Sequence, residues 1–265
     1  MILHKETLLK NISESEIHED VFDEEELDLL WKIAFQNGSV RKNKYGNIFI
    51  SGDVVKKAYE HVKHKILLDA ELFGGNYFIT TQQYGLHIDS FRTKPVDDGT
   101  TVYRNVIIPL WIGSNIEPAD GGHLITFEQR LIDYSCDFNK GERVSYKESL
   151  YKAHTDYSNL QFYDRHGKEI DKKLNDKTFD KEIHRKYFNT PRERLDGLTI
   201  ENIFDWKPGS MIMIDAIQIH ASNAGLRKET VVEYGPHSDY EDYSKVKQLF
   251  WLNKMGLLFK FKAKI

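Results

Sequence analysis

Two helix-like stretches come first in this chain, then a succession of short β-rich runs separated by glycine-containing turns, and that order leaves few architectures open. Asp23, followed by Glu24, Glu25 and Glu26 and then by Leu27, Leu29, Leu30, Ile33 and Ala34, reads as an N-capped amphipathic helix closing at Asn37-Gly38. A second helix is expected from Asp53, with Val54, Val55, Ala58, Val62, Ile66 and Leu67 at helical spacing through about Ala70, and Gly74-Gly75 ending the run. NYFITTQQ (76–83), VYRNVIIPLW (102–111) and HLITF (123–127) are strand candidates. Residues 130–205 lose this regularity: they are charged and rich in Tyr, without a clean period, and read as an insertion. In WKPGSMIMIDAIQIH (206–220), a Pro208-Gly209 turn, a strand, a kink near Asp215 and a strand ending at His220 follow one another, and 230–234 is one more strand. Helices followed by many short strands predict a mainly β (α+β) domain: an antiparallel sandwich or barrel with helices packed on one outer face.

Composition removes several function classes. A chain of 265 residues that is 40% apolar and 12% aromatic can bury a full core, which excludes disorder. With 37 basic against 41 acidic residues the net charge is −4, so no global field draws the chain to nucleic acid or to an anionic membrane. Cys136 stands alone, which rules out an internal disulfide and a cysteine-rich zinc site and fits a reducing compartment. The first 26 residues turn acidic before any apolar run long enough for a secretory leader, and no later stretch could span a bilayer, so a cytoplasmic location is expected. No strand opens into a GxGxxG or GxxxxGK[ST] loop, and neither a GxSxG elbow nor an HExxH helix is present.

A metal constellation remains. In YGLHIDS, His87 and Asp89 lie two apart at a strand end, so both side chains leave one face and can reach one ion. His220, ending an apolar strand, supplies a second imidazole. Two imidazoles and one carboxylate on one face of an octahedral ion leave three positions open, the arrangement non-haem iron(II) needs for a bidentate co-substrate and oxygen. His154 and Asp156 repeat the spacing, but the strands a β-helix needs between its HxD pair and its distal histidine follow Asp89 and are largely missing after Asp156.

His87-x-Asp89, NVIIPLW, DGGHLITF (120–127) and WKPGSMIMIDAIQIHASN (206–223), in that order, cover about half of the chain. Together they resemble the 2-oxoglutarate/iron(II)-dependent oxygenases, nearest to the phytanoyl-CoA-hydroxylase-like branch. The resemblance implies a double-stranded β-helix, a jelly roll of the cupin-like kind. Residues 1–75 would be N-terminal helical support, 76–129 and 206–235 the β-helix core, 130–205 an insertion before the distal-histidine strands, and 236–265 a C-terminal segment. It implies iron(II) and 2-oxoglutarate as cofactors, O2 as co-substrate and hydroxylation of a small molecule with release of succinate and CO2. His87, Asp89 and His220 would be both metal ligands and catalytic centre.

The family clamps the distal carboxylate of 2-oxoglutarate with a cation, and Arg227 is the candidate, with Lys228 in reserve and Ser222, on the face of His220, as a hydrogen-bonding partner. Arg104 and Gln218 either face the barrel interior or are polar groups satisfied within the core. The insertion, with Tyr134, Tyr146, Tyr151, Tyr157, Phe162, Tyr163, Tyr187 and Phe188, is expected to fold over the barrel mouth and to suit a polar substrate such as an amino acid, a sugar or a nucleotide-linked metabolite. The apolar tail at 255–261 would cap the core or meet a partner. Two alternatives stand beside the oxygenase: a cupin-like metal-binding protein or isomerase without 2-oxoglutarate chemistry, and a non-catalytic protein on an inherited scaffold.

Overall fold

The computed structural model describes residues 6, 8–36, 38–42, 47–80, 84–89, 102–112, 122–132, 161–170, 177–188, 192, 195–222 and 254–262. Within them lie strands β1 (Glu16–His18), β2 (Ser39–Lys42), β3 (Ile48–Ser51), β4 (Glu71–Thr80), β5 (Tyr84–His87), β6 (Val102–Ile112), β7 (His123–Ile132), β8 (Gln161–Tyr163), β9 (Glu169–Ile170), β10 (Ile200–Asp205), β11 (Met211–Asp215), β12 (Gln218–Ser222) and β13 (Lys254–Lys262). The helices are α1 (Glu24–Ala34), α2 (Asp53–Val62) and α3 (Lys181–Tyr187). One sheet has the order β1-β11-β6-β13-β4-β3-β2; the other runs β5-β12-β7-β8-β9, with β10 also paired to β7. Every pairing is antiparallel. The chain crosses between sheets as it passes from β4 to β5, β6 and β7, and again from β10 to β11, β12 and β13. This is the double-stranded β-helix.

Capping starts α1 where the sequence placed it: the Asp23 side chain accepts from the Glu26 N–H while the Glu26 carboxylate accepts from the Asp23 N–H. Leu30, Ile33 and Ala34 of α1 and Val54, Val55, Ala58 and Val62 of α2 are buried against Met255, Leu257, Phe259 and Phe261 of β13. The other face of β13 looks between the sheets, where Leu258 joins Ile107, Leu124, Phe204, Trp206, Ile212 and Ile214. Among the described residues, no helix is long and apolar enough to cross a membrane.

Four sequence expectations change. The second helix ends at Val62 rather than near Ala70, and Gly52, at φ 98°, is its N-cap in place of Asp53. Gly74-Gly75 lies inside β4 instead of ending a helix, and at Gly75 β13 passes too close for a side chain: a Cβ there would sit 2.0 Å from the Leu258 carbonyl oxygen. The tail is neither cap nor partner surface, since β13 sits between β6 and β4 in the middle of the larger sheet. β10, read as part of the insertion, pairs along β7. Residues 230–234 and most of 130–205 lie outside the described residues. Gly75→Ala is expected to destabilise the fold by about 1–3 kcal/mol through overpacking, read as a lower urea midpoint at unchanged slope.

Candidate metal centre

β5 and β12 bring the two histidines together across a single register step, His220 opposite His87, with ring centroids 4.1 Å apart. His87 Nδ1 lies 2.7 Å from the Gly85 carbonyl oxygen and His220 Nδ1 lies 2.9 Å from that of Gln218. A carbonyl only accepts, so each Nδ1 carries the proton and each Nε2 keeps its lone pair. Both Nε2 atoms face Asp89, at 3.9 Å from Oδ1 for His87 and 3.6 Å from Oδ2 for His220. One ligand atom from each residue falls within 4.8 Å of the others. Ligand atoms at right angles on one divalent ion are about 3 Å apart, so each histidine would draw closer to Asp89 by roughly 1 Å or less on a metal.

Asp89 is held from three sides. Its N–H donates to the Ala216 carbonyl (3.0 Å), Asn105 Nδ2 donates to its Oδ2 (3.1 Å), and Lys260 Nζ donates to its backbone oxygen (2.8 Å). Burial pushes its carboxyl upward, but Lys260, His220 and His87 together outweigh burial and hold it below the ordinary carboxylate range. Burial, reinforced by the nearby His87, pulls His220 down to about 4, which keeps it neutral and able to ligate near neutral pH.

Ser222 is buried two residues beyond His220, and its Oγ accepts from Lys254 Nζ at 2.5 Å. Lys254 opens β13 and is 3% exposed, with its ammonium 4.6 Å from the Trp206 ring centroid. Burial alone pulls its pKa down to about 7. The sequence reading missed this lysine, although KMGLLFKFK carries the signal: Lys254 and Lys260 alternate with Met255, Leu257, Phe259 and Phe261 and must point to the other face. Arg227, Lys228 and the His154/Asp156 pair lie outside the described residues.

Arg104 and Gln218 belong to one buried polar cluster, which takes up the Arg104 guanidinium and the Gln218 amide N–H, while Gln218 Oε1 has no hydrogen-bond partner among the described residues. Asp215 pairs with Arg104 (2.9 Å) and Arg130 (3.2 Å), and Arg130 also pairs with Glu201 (3.0 Å). Arg104 Nη2 reaches Glu16 and the Glu14 carbonyl, and Gln218 Nε2 donates to Glu201 and to the Phe127 carbonyl. Ser13 and Ser15 close the cluster from the N-terminal segment, donating to Asp215 and Glu201 respectively.

No family model and no curated protein matches the chain. Solved structures do align over nearly all of it. A Pseudomonas putida prolyl-4-hydroxylase is 9% identical with a TM-score of 0.42, over 98% of this chain and 100% of that one. The non-heme alpha ketoglutarate dependent epimerase SnoN from nogalamycin biosynthesis is 10% identical with a TM-score of 0.47, over 98% and 83%. HygX from Streptomyces hygroscopicus, crystallised with nickel, 2-oxoglutarate and hygromycin B, is 9% identical with a TM-score of 0.42, over 98% and 87%. Similarity at this level decides nothing about the chemistry, and the ligand geometry above does not depend on it.

Proposed function

We propose that this chain is an iron(II)- and 2-oxoglutarate-dependent oxygenase that hydroxylates a polar small molecule. The observation that carries the reading is the convergence of His87, Asp89 and His220 with both Nδ1 protons tied to backbone carbonyls. The donor set fits a borderline divalent ion: two neutral imidazole nitrogens and one carboxylate held ionised. Iron with 2-oxoglutarate and O2 supplies oxidative decarboxylation to succinate and CO2 and the oxidant for a substrate C–H bond.

The chain's own part is positioning and exclusion of water. Ser222 lies on β12, the strand that carries His220, and Lys254 on β13 of the facing sheet with its Nζ on the Ser222 hydroxyl, so the two offer an ammonium and a hydroxyl for the distal carboxylate of the co-substrate. Lys254 therefore replaces Arg227 as the preferred clamp, and Ser222 keeps the role the sequence suggested. An ammonium buried at a cost becomes favourable when a carboxylate arrives, which gives the site a reason to hold one there. The charged residues of 130–205 support the polar substrate class, whereas Phe162, Tyr163 and Phe188, expected over the barrel mouth, are buried in the core instead.

The test is calorimetric titration of 2-oxoglutarate into anaerobic protein loaded with iron(II), with succinate measured under air. Binding with succinate release supports the oxygenase. Metal binding without 2-oxoglutarate binding overturns it and leaves the cupin-like reading. Lys254→Met is expected to weaken 2-oxoglutarate binding roughly 10- to 100-fold, the worth of a charged hydrogen bond, while leaving metal affinity intact. Lys254 lies near 7 when the site holds no anion, and a bound carboxylate favours its charged form. Above that pH, binding must take up a proton, so affinity for 2-oxoglutarate should fall as pH rises past about 7. Lys254→Met should flatten that fall.

A further inference from the structure

Asn105 is an odd residue for its place. It lies on β6 with no exposed surface, between Arg104 and Val106 in sequence and opposite Lys260 of β13 in register. Its amide donates to Asp89 Oδ2 at 3.1 Å, whereas its carbonyl Oδ1 is buried with no hydrogen-bond partner among the described residues. The amide cannot be turned round to relieve this, because an oxygen would then face the carboxylate oxygen. A buried acceptor left unpaired costs about 1–3 kcal/mol, so an apolar side chain of the same size would serve the metal-free core at least as well.

We propose that Asn105 is a positioning residue for the metal site: it fixes the Asp89 carboxylate plane for ligation, at the expense of the metal-free fold. The inference rests on the reading of His87, Asp89 and His220 as a metal site. The geometry explains why the task falls to Asn105. Asp89 follows the end of β5, and its main chain is anchored by the Ala216 carbonyl and by Lys260 Nζ. Those contacts place the backbone and leave the side-chain torsions free. The Asn105 amide N–H holds the side chain at Oδ2, and it comes from a central strand of the larger sheet rather than from the loop that bears Asp89. An outer partner of this kind keeps a carboxylate in its ligating orientation before the ion arrives, and losing one typically lowers metal affinity 10- to 100-fold.

The experiment compares full-length wild type, Asn105→Leu, Asn105→Ala and the packing control Ile107→Ala. Anaerobic titration with cobalt(II) gives affinity and the visible spectrum, and metal-free thermal unfolding gives stability. Asn105→Leu is expected to bind cobalt(II) roughly 10- to 100-fold more weakly, with an altered spectrum, and to melt no lower than wild type without metal. Asn105→Ala should lose the same affinity even where a cavity lowers its melting point. Ile107→Ala should melt lower with the wild-type spectrum and affinity. Wild-type affinity and spectrum in both Asn105 variants would overturn the proposal, as would a loss of affinity in Ile107→Ala equal to theirs. Failure of wild type itself to bind cobalt(II) would instead remove the metal site on which the inference rests.

Discussion

His220→Ala is expected to leave a folded protein that no longer holds a divalent ion. The remaining His87 and Asp89 offer two ligand atoms where three converge, and the loss should exceed the roughly 100-fold that removing a supporting partner costs. Anaerobic titration of iron(II) or cobalt(II) with metal analysis after gel filtration reads it directly. His154→Ala is the matched control and should retain the metal, because the three convergent ligands are complete without it. Retention of stoichiometric metal by His220→Ala would defeat the assignment. 2-Oxoglutarate binding should vanish together with the metal in His220→Ala, but in Lys254→Met it should weaken while the metal stays.

The three residues proposed as metal ligands were legible because each belongs to a short local pattern. His87 and Asp89 share a face by strand alternation, and His220 ends a run whose β-branched and apolar residues admit little besides a buried strand. The clamp proposed at Lys254 was not legible by the same route. Lys254 follows β12 only after residues 223–253, so interval counting from His220 pointed to Arg227, while strand alternation within 254–262 pointed to an inward lysine. The helix boundary failed for a different reason. Val62, Ile66 and Leu67 continue the helical period past the true end, but Lys63 closes the helix, with its N–H on the Tyr59 carbonyl, and Leu67 is 90% exposed. Of the two glycines read as terminators, Gly75 is instead set by a neighbour nearly two hundred residues away in sequence, and close approach of distant backbone leaves no local pattern. Asn105 belongs to the same class: nothing around it marks it as Asp89's partner until β6 is laid across the sandwich from the loop after β5.

Asp215→Ala is expected to produce the largest loss of stability of any single substitution outside the hydrophobic core, about 3–5 kcal/mol, because it leaves two buried guanidinium groups without their shared carboxylate. Arg130 has no exposed surface and Arg104 is 3% exposed, so neither can recover the lost partner from solvent. Urea denaturation at neutral pH measures the loss; a shift under 1 kcal/mol would show that the pairing contributes little. Acid should act on the same cluster through Glu201. Burial pushes its carboxyl upward, but the Ser15 hydroxyl and amide, Arg130 and Gln218 outweigh burial and hold it below its ordinary value. Its stabilising contribution is therefore present above an unfolded-state pKa of about 4.3 and is lost as pH falls through the depressed folded-state value. Glu201→Gln should remove that part of the acid sensitivity. The cluster's position indicates its purpose. Asp215 is the last residue of β11, Ala216 beside it accepts the Asp89 N–H, and Gln218, which accepts from His220, is held by Glu201. A hydrophobic replacement of a buried ion cluster can be as stable as the original, but it would carry no directional bonds, and the turn joining β11 to β12 would lose what fixes Asp89 and His220 relative to each other. Simultaneous Arg104→Met, Arg130→Met and Asp215→Leu replacement should accordingly recover much of the stability lost in Asp215→Ala without recovering its metal affinity.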